Sequence, residues 1–384
     1  MKKPEGQVIR KIIAGEPVNR IAYSPNYWQW FAHHKNHGNL PDEIRDCETQ
    51  LDLLRWLGVD IFSRNIYSRQ DEYWFGGICE MQLDSAEVSI AESYAGKDRF
   101  ADIAYDLRTG KLSETLHYVF NESTLVQKKF LVDDYKKQAG LFEKFIGSRR
   151  WNFNQTKYKE ICDQAGTDAV VAVGDFFSPL KMLHLSMGPV NSVYFLMEEP
   201  EFAKRLMDQH ELVQLDLVKQ AVSGGVRVIM SMDNLDTMFQ PPDYVEAYSA
   251  SFYEKAAELC HRHGAKFFIH ACGSQRHNLN LIDSLKVDGL EGVAFPPLGD
   301  VKLEEAFEMT SDNFIITGGI SAFETRDHKS KTEVCAYVMD LFKKLEPFKN
   351  RFIFSSSCNT PIDTPWDTIK YFRDAWIENS GSTP

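Results

Sequence analysis

The feature that most constrains the fold is a recurring unit: a helix, then a glycine or glycine pair, then a short apolar strand. A helix over 42–58 closes on Gly58 and leads to a strand over 59–62. A helix over 158–164 leads through Ala165-Gly166 to a strand over 167–173. A long helix over 191–221 leads through Gly224-Gly225 to 226–232, and one over 243–263 through Gly264 to 265–269. Helices over 279–285, 303–309 and 332–345 lead to strands over 289–294, 313–317 and 351–354. Strands apolar on both faces and separated by helices are what a parallel sheet covered by helices requires. The antiparallel-looking stretch 78–133 breaks the rhythm, with alternation in Thr115-Leu116-His117-Tyr118-Val119-Phe120 and a turn at Arg108-Thr109-Gly110-Lys111.

Polar residues stand just past strand after strand: Asp175, then Asp233 and Asp236, then His270 and Cys272, then Cys358. In a closed barrel those ends converge on one mouth. The expected fold is therefore α/β, a (β/α)8 TIM barrel spanning 1–384. A helical extension precedes it, and a small β-rich insertion lies at 78–133. A doubly wound sheet also fits the periodicity, but no dinucleotide-type glycine fingerprint follows an early strand.

The richest stretch for chemistry is 266–274, KFFIHACGS. Four residues read as a buried strand, and the run then turns to His270 and Cys272. Two residues apart on extended backbone, their side chains point the same way and can reach one point. A core histidine with a buried free cysteine is the alternative. Cys358, just past the strand in RFIFSSSCNTPIDTP, tips the balance. Two cysteines with one histidine and an open fourth position is a known catalytic zinc set. Asp233 and Asp175 are candidate catalytic carboxylates with turn capping as the competing role, and Asn234 is a candidate substrate contact. Tyr27, Trp28 and Trp30, in the patch NYWQWFAHH, are candidates for the wall of a pocket that takes a flat substrate.

The formal net charge of −12 argues against a nucleic-acid groove and against an anionic membrane surface. The seven scattered cysteines suit a reducing compartment. No stretch approaches the apolar length of a membrane span, and residues 1–7 carry no signal-peptide pattern. A cytoplasmic enzyme is expected, with a homodimer left open.

GEPVNRIAYSP, RTGKLSETL, FIHACGS, ITGGI and SSSCNTPIDTP together resemble the uroporphyrinogen decarboxylase superfamily, and within it the zinc- and corrinoid-dependent methyltransferases. The resemblance implies a (β/α)8 barrel with its cleft at the strand C-termini. The decarboxylases carry paired arginines near the N-terminus, whereas YSPNYWQWFAHH has none, which speaks against porphyrinogen decarboxylation. The methyltransferase pattern of His-x-Cys and a distant Cys maps onto His270, Cys272 and Cys358 as zinc ligands. The implied function is methyl transfer from a small methoxylated, aromatic substrate to the cobalt of a corrinoid protein, the demethylating component of an O-demethylase. Cofactors would be zinc and a corrinoid (cobalamin) carried by the partner protein. The runner-up is transfer from a methylated corrinoid protein to a thiol such as coenzyme M. A non-catalytic corrinoid- or tetrapyrrole-binding protein and a divergent decarboxylase are the remaining readings.

Overall fold

In the computed structural model, which describes residues 7–63, 77–84, 86–326 and 329–380, the apolar runs after the glycine-closed helices become parallel strands. In chain order the strands are β1 (Ala22–Tyr23), β2 (Ile61–Ser63), β3 (Cys79–Leu83), β4 (Glu87–Ala95) and β5 (Asp98–Asp106). Then come β6 (Lys111–Val119), β7 (Thr124–Lys129), β8 (Arg149–Phe153), β9 (Ala169–Val171) and β10 (Val173–Phe176). The last are β11 (Val228–Leu235), β12 (Lys266–Ala271), β13 (Gly289–Val293), β14 (Ile315–Ile320) and β15 (Phe352–Ser356). A seven-stranded parallel sheet runs β1-β15-β14-β13-β12-β11-β10. β2 and β9 form a separate parallel pair, and Ala172 alone separates β9 from β10.

Side chains alternate between the two faces of a strand. The outer set packs with the helices into the large core, Phe267, Ile269, Leu290, Ile316 and Phe354 among them. The inner set meets in a second cluster: Ala22, Phe62, Val170, Ala172, Val228, Met230, Phe268, Ile315 and Ile353. Strands as far apart in the sheet as β1 and β11 contribute to that one cluster, so the sheet curls into a barrel-like form. The helix Gln7–Ala14 supplies Ile9 and Ile12 to the same cluster. Its Arg10 donates to the carbonyls of Thr167 and Ala169 at 3.3 and 2.8 Å, where β9 begins. The helix therefore plugs the end opposite the strand C-termini.

Among the described residues the backbone ladder joins seven strands in one sheet and β2 with β9 in another, and no backbone pairing links β1 to β2. β1 is two residues long, and Pro25 follows close behind with no N–H to extend it. Side chains bridge the gap to β2 instead. The Ser24 hydroxyl accepts from the Phe62 N–H at 2.8 Å and donates to the Phe62 carbonyl at 3.2 Å. Asp60 accepts from the Tyr23 N–H at 3.1 Å and is gripped by Arg20 at 2.6 and 2.7 Å.

The irregular stretch holds an antiparallel meander, β4-β5-β6-β7, as its turn signals suggest. The antiparallel pairing extends beyond residue 133, because β3 pairs with β8 on the far side of the helix Tyr135–Ser148. The single long helix expected over 191–221 is two, Pro179–Glu198 and Pro200–Ser223. The first is kinked at Gly188 (φ 75°) ahead of Pro189, and Pro200 starts the second.

Candidate functional site

β12 delivers His270 and, just past its end, Cys272. β15 delivers Cys358 two residues beyond Ser356. The two strands are not neighbours, since β13 and β14 lie between them in the sheet. Curling brings their ends together, and one glycine permits the close approach. Gly292 on β13 has φ of 84°, and a Cβ there would sit 2.9 Å from the Ser357 carbonyl oxygen and 3.1 Å from His270 Cε1. A side chain at 292 would wedge the β12 and β15 ends apart. The loops are pinned as well: Cys272 N–H donates to the Leu235 carbonyl at 3.1 Å, and Ser357 N–H to the Ile320 carbonyl at 2.8 Å.

His270 is 2% exposed. Its Nδ1 bonds the Glu291 carboxylate on β13, which leaves Nε2 as the nitrogen available to the cysteines. The hydrogen bond from the Cys272 thiol holds the Cys358 sulfur well below the ordinary thiol pKa. The His270 imidazole and the Asn359 N–H help, against the opposing effect of burial. Cys272, as the donor, is pushed up by that hydrogen bond, by burial, and by the charges of Cys358, Asp236 and Glu291. The hydrogen bond thus favours the thiolate on Cys358 and the proton on Cys272.

The donors, one imidazole and two sulfurs, are those of a catalytic zinc site. The carboxylate behind the imidazole is the usual outer partner of a metal-bound histidine. Among the described residues no group of three or more His, Cys, Asp or Glu side chains is set out to hold a metal ion as it stands. The two sulfurs are instead turned toward each other across their hydrogen bond. In donor chemistry the three residues fit zinc.

The remaining expected residues separate into two groups. Trp28 is half-buried and its indole N–H donates to the Asn359 side-chain oxygen, which also accepts from Asn26 Nδ2 at 3.0 Å. Asn359 follows Cys358 in the chain, so this bond ties Trp28 to the loop that carries the thiol. Tyr27 and Trp30 are both buried in the core. Tyr27 is 3% exposed with its hydroxyl 2.7 Å from that of Tyr23, and Trp30 is 1% exposed, stacked on Trp366 and bonded to the Thr364 carbonyl. In the helix Trp28–His37, residues 30 and 31 turn inward together and leave 28 at the margin.

Asp233 is fully buried and has two structural partners. Its oxygens accept from the Ser178 N–H and the Tyr253 hydroxyl, each at 2.8 Å, which ties β11 to the start of the helix Pro179–Glu198. Burial, then the Asp233 charge, push the Tyr253 hydroxyl well up. Asp233→Ala leaves two buried donors without their acceptor and is expected to cost about 2–4 kcal/mol in urea unfolding. Tyr253→Phe removes one donor and should cost about 1 kcal/mol. Equal losses in the two variants would refute this account. Asn234 is exposed in the left-handed region (φ 49°), with its side-chain oxygen 3.5 Å from Lys181 Nζ. Asp175 is half-buried beside Cys79, whose thiol it helps to hold well up after burial itself.

Sequence reasoning passed over Glu291 and Lys181. Glu291 had a readable signal, a lone carboxylate in the apolar strand GLEGV. Lys181 lies in the first turn of its helix, and burial lowers its pKa while the Asp233 and Cys272 charges raise it. Nothing in its sequence neighbourhood marks it.

The fold is similar to that of a methyltransferase from Methanosarcina mazei over 98% of this chain and 99% of that one, with a TM-score of 0.59 at 13% identity. A D-psicose 3-epimerase from Clostridium cellulolyticum H10 is far less similar, with a TM-score of 0.35 at 9% identity, covering 59% of this chain and 82% of that one. No curated protein matches the sequence. No helix among the described residues is long and apolar enough to cross a membrane. The sequence model of the uroporphyrinogen decarboxylase (URO-D) family matches residues 158–378, more than half of the chain and the part that carries β9 to β15 with His270, Cys272 and Cys358. The chain belongs to the uroporphyrinogen decarboxylase family.

Proposed function

We propose that this chain is a zinc-dependent methyltransferase. It moves a methyl group from a small methoxylated aromatic compound to the cobalt of a corrinoid protein, as the demethylating component of an O-demethylase. The observation that carries the reading is the meeting of His270, Cys272 and Cys358 at one end of the barrel-like sheet, with Glu291 behind the imidazole. Zinc held by His270 Nε2 and the two sulfurs would supply Lewis-acid chemistry to the ether oxygen that the methyl group leaves.

The chain's own residues prepare that chemistry. Glu291 accepts from Nδ1–H and so directs Nε2, the nitrogen that would hold zinc, toward the sulfurs. Asn359 donates its N–H to Cys358 and favours the thiolate. Its side chain, with Asn26, sets the plane of Trp28, which offers one aromatic wall beside the site. Asp175 remains the polar candidate on the β10 side. The corrinoid protein would approach the strand C-terminal end, since the helix Gln7–Ala14 covers the other. The full (β/α)8 barrel in one domain, with the antiparallel strands as an insertion, and a cytoplasmic location complete the reading.

The test is an anaerobic assay of the zinc-loaded chain with methoxylated aromatics and reduced cobalamin, run beside methylcobalamin with coenzyme M. Demethylation of the aromatics is the expected result. Transfer only to the thiol would move the assignment to the runner-up reaction. A preparation with about one zinc per chain that does neither would overturn the proposal.

A further inference from the structure

A second polar site lies between the antiparallel strands and the helix Pro179–Glu198, apart from the histidine and cysteines. It is a cavity of about 50 Å³ whose lining includes Arg149 on β8, His210, Glu114, Phe145, Met182 and Ser186. Arg149 is 6% exposed, and its guanidinium donates to His210 Nδ1 at 2.8 Å. A guanidinium has no acceptor atom, so Nδ1 must accept. The His210 proton is then on Nε2 and is donated to the Phe177 carbonyl at 3.3 Å. The imidazole is therefore neutral, in keeping with the burial and the Arg149 charge that hold its pKa well down.

Two consequences follow for Arg149. Its hydrogen-bond partner is neutral, so what favours the cation is the Glu114 charge on the same cavity and the Phe145 ring, 5.4 Å from the guanidinium carbon to the ring centroid. Its Nε–H is buried with no acceptor. Glu114, on the same cavity, accepts from the Tyr105 hydroxyl at 2.7 Å and from Gln127 Nε2 at 3.3 Å. A buried guanidinium on a cavity wall with an unused donor is costly until an acceptor reaches it, and the Glu114 oxygens are engaged by Tyr105 and Gln127.

We propose that this cavity binds a small monocarboxylate of about the size of acetate, with its oxygens on Arg149 and its apolar end against Phe145 and Met182. Size sets the class. The space would hold roughly three or four waters, which matches an anion of about four heavy atoms and excludes an aromatic ring. The apolar wall of Phe145 and Met182 distinguishes a carboxylate with a carbon tail from an inorganic oxyanion.

The experiment uses the full chain at neutral pH and constant ionic strength, titrating acetate, nitrate and chloride by calorimetry and thermal melting. Acetate is expected to bind at one site and raise the melting temperature in a saturable way, with nitrate weaker and chloride without effect. Arg149→Gln should weaken acetate binding about tenfold or more. Because that variant could fold poorly, Ser186→Leu fills the cavity from another lining residue and leaves the Arg149–His210 bond in place. It should keep its melting temperature and lose the acetate response. Acetate indistinguishable from chloride in the wild type overturns the proposal, as does nitrate binding more tightly than acetate. An undiminished acetate response in a folded Ser186→Leu protein does the same. Zinc content is unaffected throughout, so failure here leaves the zinc reading intact.

Discussion

Cys358→Ala is expected to reduce zinc in the purified protein from about one per chain to nearly none, and methyl transfer with it. The reason is the small number of donors. His270, Cys272 and Cys358 are the three protein donors assigned to the proposed site, so losing one leaves two of them, too few for a catalytic zinc site. Cys272→Ala should do the same. Loss of an outer partner costs less: Glu291 acts through His270, and removing such a group weakens metal binding roughly 10–100-fold. Cys335→Ala is the matched control, because that thiol contacts Glu378 and Asn379 instead of the site.

The shared proton adds a second readout. The hydrogen bond between the sulfurs favours the thiolate on Cys358 and the proton on Cys272. Zinc ligands must be deprotonated, so loading the metal-free protein should release protons, including the one held between the two sulfurs, and the number released should fall as the pH is raised. Calorimetry in buffers of different ionisation enthalpy measures that number. Zinc retained in both cysteine variants would remove the central assignment.

The sequence disclosed the parts of the site that depend on strand ends and little of what depends on curvature. His270 and Cys272 share a face because they are two apart on a strand, a local rule that holds before any tertiary structure is known. Their union with Cys358 required two strands separated by two others to end near one another. Only the curl of the sheet, and the bare backbone of Gly292 between them, achieves that. The aromatic patch shows the opposite case. Composition around Tyr27, Trp28 and Trp30 suggested a pocket wall, but helical phase decides which ring faces inward, and two of the three are core. Asp233 was legible as a carboxylate past an apolar strand. Its real partners, Ser178 and Tyr253, are 55 and 20 residues away and could not be read from the local pattern.

Asp60→Ala is expected to be the most destabilising single change at the seam between β1 and β2, costing about 3–5 kcal/mol. Asp60 is fully buried, and Arg20, with a side chain 14% exposed, grips it through two bonds of 2.6 and 2.7 Å. The same carboxylate accepts the Tyr23 N–H, a donor that a continuous ladder would have paired with a backbone carbonyl. Removing it leaves a desolvated guanidinium over the Trp376 ring, at 5.0 Å from its centroid, and an orphaned backbone donor in the strand. At about 2.1 cal/mol/K of unfolding entropy per residue, that loss corresponds to a melting temperature lower by about 4–6 °C if the chain unfolds as one unit. The double variant Arg20→Met/Asp60→Leu should recover much of the loss, because a buried ion pair replaced by apolar groups costs far less than a broken one. Thermal and urea unfolding of the three proteins decide the matter. If Asp60→Ala lies within about 1 kcal/mol of the wild type, the seam is held by packing and the pair is incidental. If the double variant is as unstable as the single one, the carboxylate acts mainly through Tyr23, as a side-chain substitute for the missing rung of the ladder.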